Sequence, residues 1–173
     1  MFNRPIRNHK IKTGVAMISI ENEQLRIAAV KRYDILDTPP DGAFDRITAI
    51  AARRFNVPIS IISVVDEDRI WFKSHHGLDI NQVDRELGLC ASAVISNQPH
   101  IILDAQIDPR SLANPLVAGE FGLRFYAGVP LQTQDGHNLG TLCVIDIIIG
   151  KGGRDLIAGN EVGGAAGASA DFL

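Results

Sequence analysis

The chain has 173 residues, 46% hydrophobic and 21% charged, with a formal charge of −3, the composition of one ordinary globular domain. That balance gives no reason to expect nucleic acid as a partner, because phosphate neutralisation needs clustered Lys and Arg. The two cysteines lie outside any Cys-x-x-Cys pair, which excludes a disulfide framework and argues against structural zinc. No apolar run approaches the ~20 residues of a membrane span, so no membrane partner is expected and a reducing, cytoplasmic setting is.

Residues 1–20 read as an N-terminal extension. The apolar patch Val15–Ile18 follows basic residues but is too short for the core of a signal sequence, and Met17 opens a stretch that reads like a natural start. From Glu21 to Tyr33 the chain reads as a helix, with Leu25, Ala28, Ala29 and Arg32 at helical spacing. Asp37-Thr38-Pro39-Pro40 stops it. A second helix is expected over 41–56, capped by Thr38, with Phe44, Ile47, Ala51 and Phe55 as its buried stripe.

Ile59–Asp66 is β-branched and partly alternating, and Ile70–His75 follows the acidic turn Asp66-Glu67-Asp68; together they predict an antiparallel hairpin. Residues 76–87 read as loop, 89–96 as a short helix and His100–Leu103 as a short strand. Asp104–Gly122 is a long connection with helical turns, of a length uncommon in compact domains unless it is functional. Phe125–Leu131 and Leu139–Ile145 flank Asp135-Gly136, a strong hairpin signal. The domain is therefore bounded at 21–148. Residues 149–173 form an atypical Gly/Ala-rich tail in which a firm helix is not expected.

Several separated motifs carry a resemblance. RYDILDTPPDGAFDRITAIAARRFNVPIS, SVVDEDRIWFKSHHGLD, GLCASAVI and the run from ILDAQIDPR to GHNLGTLCVID stand in the order seen in GAF domains of bacterial signalling proteins. The chain resembles that family over about residues 23–146. The resemblance implies an α+β fold, a central six-stranded antiparallel sheet with helices packed against it, related to PAS domains. It also implies a non-catalytic sensor or regulatory role, with an output kinase or cyclase domain in longer relatives. Two departures stand out. Ser92 occupies the place two residues after Cys90 where relatives often have His, which weakens any reading as a bilin-attachment site. The tail replaces the helix that usually leads to the output domain.

The residues themselves nominate a ligand pocket. Trp71, Phe72 and Phe125 would supply apolar walls, Arg110 or Arg124 would hold an anion, and Asp104, Asp108, Asn114 and Tyr126 would add polar contacts. The competing expectation is that Asp104 and Asp108 cap turns and Arg110 pairs with one of them, stapling the loop. Cys90, near a helix start, is a pocket-lining residue or a thiol of lowered pKa, whereas Cys143 reads as a small core hydrophobe. One GAF branch reduces free methionine sulfoxide with cysteines, but the placing of Cys143 does not resemble theirs. His75 and His76, adjacent on a strand, face opposite sides and make no metal site, and Gly150-Lys151-Gly152-Gly153 lacks phosphate-loop spacing. The expected function is a sensor that binds a small molecule, such as a cyclic nucleotide, and signals through a homodimer contacting along helix 21–33. A small thiol-dependent reductase and a ligandless dimerisation module are the alternatives.

Overall fold

The computed structural model describes residues 19–147; the tail and most of the N-terminal extension lie outside them. Helix α1, Ile20–Tyr33, starts at Ser19, whose hydroxyl accepts the Asn22 amide at 3.2 Å, and stops at Asp34 in the left-handed conformation. Helix α2, Gly42–Phe55, closes on Asn56 in the same conformation, which short polar residues tolerate best among those with a side chain. Its cap is Asp41, accepting the Ala43 amide at 2.8 Å. Thr38, the expected cap, instead donates to the Ile35 carbonyl at 2.7 Å and accepts from Lys73 Nζ at 2.7 Å. The prolines hold the chain extended past Thr38, and the helix begins only where a carboxylate meets its free amides.

Six strands follow: β1 Ile59–Val65, β2 Arg69–His76, β3 Gln82–Asp84, β4 His100–Ile102, β5 Phe125–Gln132 and β6 Asn138–Asp146. They form one sheet in the order β3-β2-β1-β6-β5-β4, with every neighbouring pair antiparallel. The expected loop 76–87 therefore contains an edge strand, β3, too short and too polar to show an alternating pattern. A 3-10 turn at Arg85–Leu87 and two four-residue helices, α3 Cys90–Ala93 and α4 Pro115–Ala118, complete the regular elements; α3 is half the length expected for it.

Side-chain alternation divides the core. One face carries Ile61, Ile70, Phe72, Tyr126, Cys143 and Ile145, covered by α3, α4 and the long loop. The opposite face carries Val64, Trp71 and Leu139 beneath Ala29 and Val30 of α1, and Phe125 and Val144 beneath Ala51 and Phe55 of α2. Ile62 pairs with Ser74 while Ser63 pairs with Phe72, so Lys73 is the extra residue of a bulge. That extra residue turns Ser74 toward α2, where its hydroxyl donates to Asp45 at 2.7 Å and lies 3.0 Å from Thr48 Oγ1.

A buried guanidinium fixes α1 to this frame. Arg26, 3% exposed, donates to the Val65 carbonyl at 2.7 Å and to both oxygens of Glu23 at 2.8 and 2.9 Å. Arg85 reaches the same Glu23 at 2.7 Å and the Asp66 carbonyl at 2.8 Å. Burial would raise the Glu23 pKa, but the hydrogen bonds from Arg26 and Arg85 outweigh it and hold the carboxyl below its usual value. Replacing Arg26 by Ala strands a carbonyl and half of an ion network, and is expected to cost about 2–4 kcal/mol in urea unfolding. Lys31→Ala, which breaks only an exposed pair with Glu67, should leave the midpoint unchanged.

Candidate functional site

The face of the sheet away from α1 and α2 holds a wholly apolar cavity of about 80 Å³. Ile61, Ile70, Phe72, Cys90, Tyr126 and Ile145 form its floor and walls, and Leu89, Leu116, Phe121 and Leu123 its roof. Leu78 and Ile80 stand at its rim, and Ile80 is 47% exposed, so the mouth meets solvent there. On the other side of Gly88-Leu89 lies an open depression of about 900 Å³, lined by Arg85, Ser92, Arg110, Asn114 and the carboxylates Glu67, Asp68, Asp84 and Glu86. Gly88 and Leu89 line both, so the apolar chamber and the polar one share a wall there.

Sequence-nominated residues divide between these places. Phe72, Cys90 and Tyr126 line the cavity, and Arg110 and Asn114 line the polar depression. Trp71 and Phe125 do not join them: each packs on the opposite face, Trp71 under α1 and Phe125 under α2. Trp71 also flanks a groove of about 840 Å³ along β2. There the Lys73 ammonium sits 5.5 and 5.9 Å from the Phe44 and Trp71 ring centres and donates to the Pro39 carbonyl at 2.9 Å.

The polar residues of the long loop are occupied with one another, as the stapled-loop expectation had it. Asp104 accepts the Gln106 amide at 3.1 Å and is met by Arg124 at 3.3 and 3.4 Å, and these hydrogen bonds, Arg124's first, hold its carboxyl below the usual range. Asp108 accepts the Arg110 amide and its Nε, both at 2.9 Å; the guanidinium draws its pKa to about 2. Arg110 also donates to the Ile101 carbonyl at 2.9 Å, pinning the loop to β4. Asn114 caps α4 through the Leu116 amide at 2.8 Å while its amide nitrogen donates to the Leu87 carbonyl at 2.8 Å. A single side chain thus ties the roof of the cavity to the segment between the two chambers.

What the sequence missed is a thiol pair. Cys143 Sγ lies 3.8 Å from Cys90 Sγ, both are buried and unlinked, and Tyr126 Oη donates to Cys90 Sγ at 3.5 Å. The alternation of β6 does place Thr141, Cys143 and Ile145 on one face; no local signal says that α3 lands over it. Hydrogen bonding from Cys143 draws the Cys90 thiol below its ordinary value against the opposing effect of burial, with smaller help from Ser63, Thr141 and Tyr126. The same interaction, together with burial, pushes Cys143 up. Among the described residues no cluster of His, Cys, Asp and Glu could hold a metal ion.

The Tyr126 ring reaches Cys90 by lying along the strand across Gly128. A Cβ at Gly128 would stand 2.4 Å from Tyr126 Oη and 2.8 Å from Cζ. Gly128→Ala should therefore push the hydroxyl off Cys90 and cost about 1–3 kcal/mol in thermal or urea unfolding. Adding Tyr126→Phe should recover part of that loss, which a double-mutant cycle measures.

A six-stranded antiparallel sheet with helices packed against it is the α+β architecture shared by GAF domains of bacterial sensor proteins. The GAF domain model matches residues 39–155, and the chain belongs to that family. It is similar, at 44% identity over 126 residues, to the cyclic di-GMP phosphodiesterase PA2567 of Pseudomonas aeruginosa; the match covers 73% of this chain and 22% of that protein. Among solved structures it resembles a GAF sensor protein from Burkholderia vietnamiensis, with a TM-score of 0.52 and 16% identity over 81% of this chain and 89% of that one. The type II free methionine-R-sulfoxide reductase of Thermoplasma acidophilum has a TM-score of 0.51, at 15% identity over 69% of this chain and 84% of that one. At such identities the likeness is one of fold. No helix of the described residues is long and apolar enough to cross a membrane.

Proposed function

We propose that this domain is a non-catalytic sensor that takes a small molecule on the α3 and α4 face of its sheet. The observation that carries the reading is the juxtaposition of the apolar cavity and the polar depression across Gly88-Leu89. The cavity alone, at about 80 Å³, is well below the roughly 300–1,000 Å³ of pockets that enclose drug-sized ligands. A cyclic nucleotide or a metabolite of similar size fits only if segment 87–89 swings out and joins the two chambers. Its ring or alkyl part then rests on Phe72 and Tyr126, and its polar part meets Arg110 and Asn114. Because Asn114 holds the Leu87 carbonyl, the swing transmits to the long loop, and ligand binding shifts the population of loop conformations.

Transmission beyond the domain runs through α1 in this reading. Ala29 and Val30 are consumed by packing on the sheet, whereas Ile20 and Leu25 are 81% and 52% exposed and supply the apolar contact of a homodimer in the cytoplasm. The output of the longer protein would be a kinase, a cyclase or, as the name of the Pseudomonas relative suggests, an enzyme that degrades a cyclic dinucleotide. Native mass spectrometry of the freshly purified chain tests the proposal. A small adduct that survives desalting is expected, lost in a variant that replaces Val83, a cavity-lining residue of β3, by Phe and so extends a ring into the cavity. A clean apo mass with and without added cyclic nucleotides would remove the ligand and favour a dimerisation module.

A further inference from the structure

Two reduced thiols facing each other 3.8 Å apart inside a core have a structural explanation available, since buried cysteines commonly serve as small hydrophobes. Three features exceed that explanation. A tyrosine hydroxyl is aimed at one of the sulfurs, at 3.5 Å from Cys90, and an apolar core gains nothing from burying that hydroxyl. The route of the Tyr126 ring is kept open by a glycine whose Cβ would collide with it. Finally, Cys90 forms part of the wall of a cavity whose rim reaches solvent at Ile80.

We propose that Cys90 and Cys143 are a redox-modification site, oxidised by a small neutral hydroperoxide to an intramolecular disulfide. The sulfurs must approach by about 1.8 Å to reach the roughly 2.05 Å of an S–S bond. Cys143 cannot supply that movement, because it lies in β6 between Ile61 of β1 and Gly128 of β5. Cys90 can: α3 has four residues, no side-chain cap, and the cavity beside it.

The chemistry balances with hydrogen peroxide as the oxidant. The Cys90 thiolate attacks one peroxide oxygen, the O–O bond breaks, and the second oxygen leaves with a proton as water. The resulting sulfenic acid is attacked by the Cys143 sulfur; the S–O bond breaks, and the hydroxide leaves with the Cys143 proton as a second water. Two thiols lose two electrons and the peroxide gains them. Hydrogen bonding from Cys143 and Tyr126 favours the thiolate at Cys90, which fits Cys90 as the attacking residue and Cys143 as the resolving one. Disulfide closure draws α3 onto β6 and reshapes the cavity wall, so oxidation would alter whatever the cavity receives. The proposal stands independently of the identity of that ligand, and no turnover is implied.

The test uses the full chain, reduced, desalted and exposed to hydrogen peroxide, then unfolded in an alkylating agent and mapped by mass spectrometry. The expected result is a mass lower by two hydrogens, a Cys90–Cys143 cross-linked peptide, and recovery of both thiols with dithiothreitol. In Cys143→Ser, Cys90 should instead accumulate as a sulfenic acid that dimedone traps, and Tyr126→Phe should slow disulfide formation several-fold. Full alkylation of both cysteines in the wild-type chain after peroxide, or cross-links only between separate chains, would overturn the proposal. The wild-type map decides the matter even where a variant fails to fold, and it needs no ligand, so its failure is separable from that of the sensor reading.

Discussion

Adjacent residues of a strand face opposite sides of a sheet, and in this domain that constraint decides which residues can act together. It sends Trp71 and Phe125 under the long helices while their neighbours Phe72 and Tyr126 face the cavity. It also aligns Thr141, Cys143 and Ile145 on one face of β6, where the packing of α3 brings Cys90 Sγ to 3.8 Å from Cys143 Sγ. The bulge at Lys73 is the one place where β2 breaks the rule, and the break serves the helix face: both Lys73 and Ser74 engage the segment that leads into α2 or α2 itself.

The two faces are held by different means. On the helix side, Arg26 is nearly withdrawn from water and is matched by Glu23, by Arg85 on the far side of Glu23, and by a strand carbonyl. An arrangement of this kind is costly to disturb and gives α1 one position. On the cavity side the stapling pairs, Asp104 with Arg124 and Asp108 with Arg110, include no side chain as buried as Arg26 and contribute less each. The roof is short helices and loop. The ligand and the oxidant proposed above would therefore meet the part of the domain whose local opening costs least.

Much of the fold was legible. The Asp135-Gly136 turn, the β-branched run at 59–65 and the amphipathic stripe of α2 each announce themselves through period or turn chemistry, and the motif order identified the GAF resemblance. Boundaries moved where chain signals compete: Thr38 offers a hydroxyl but the two prolines defer the helix to Asp41, and β3 is too short to show a pattern. The site was legible in part. The alternation rule that separates His75 from His76 applies equally to Trp71 and Phe72 and to Phe125 and Tyr126, so those pairs were separable from sequence. The meeting of Cys90 with Cys143 was not, because they stand 53 positions apart and only packing of α3 on β6 joins them.

One face of the sheet encloses an apolar cavity, whereas the face beneath α1 and α2 is packed core. Methyl-resolved NMR of the chain under xenon pressure tests this directly, because apolar cavities admit xenon where packed cores do not. Shifts confined to Ile61, Ile70, Leu89 and Leu123, with Val30, Val57 and Leu139 unmoved, are the expected result. Shifts of equal size beneath α1 and α2, or none on the cavity face, would contradict it.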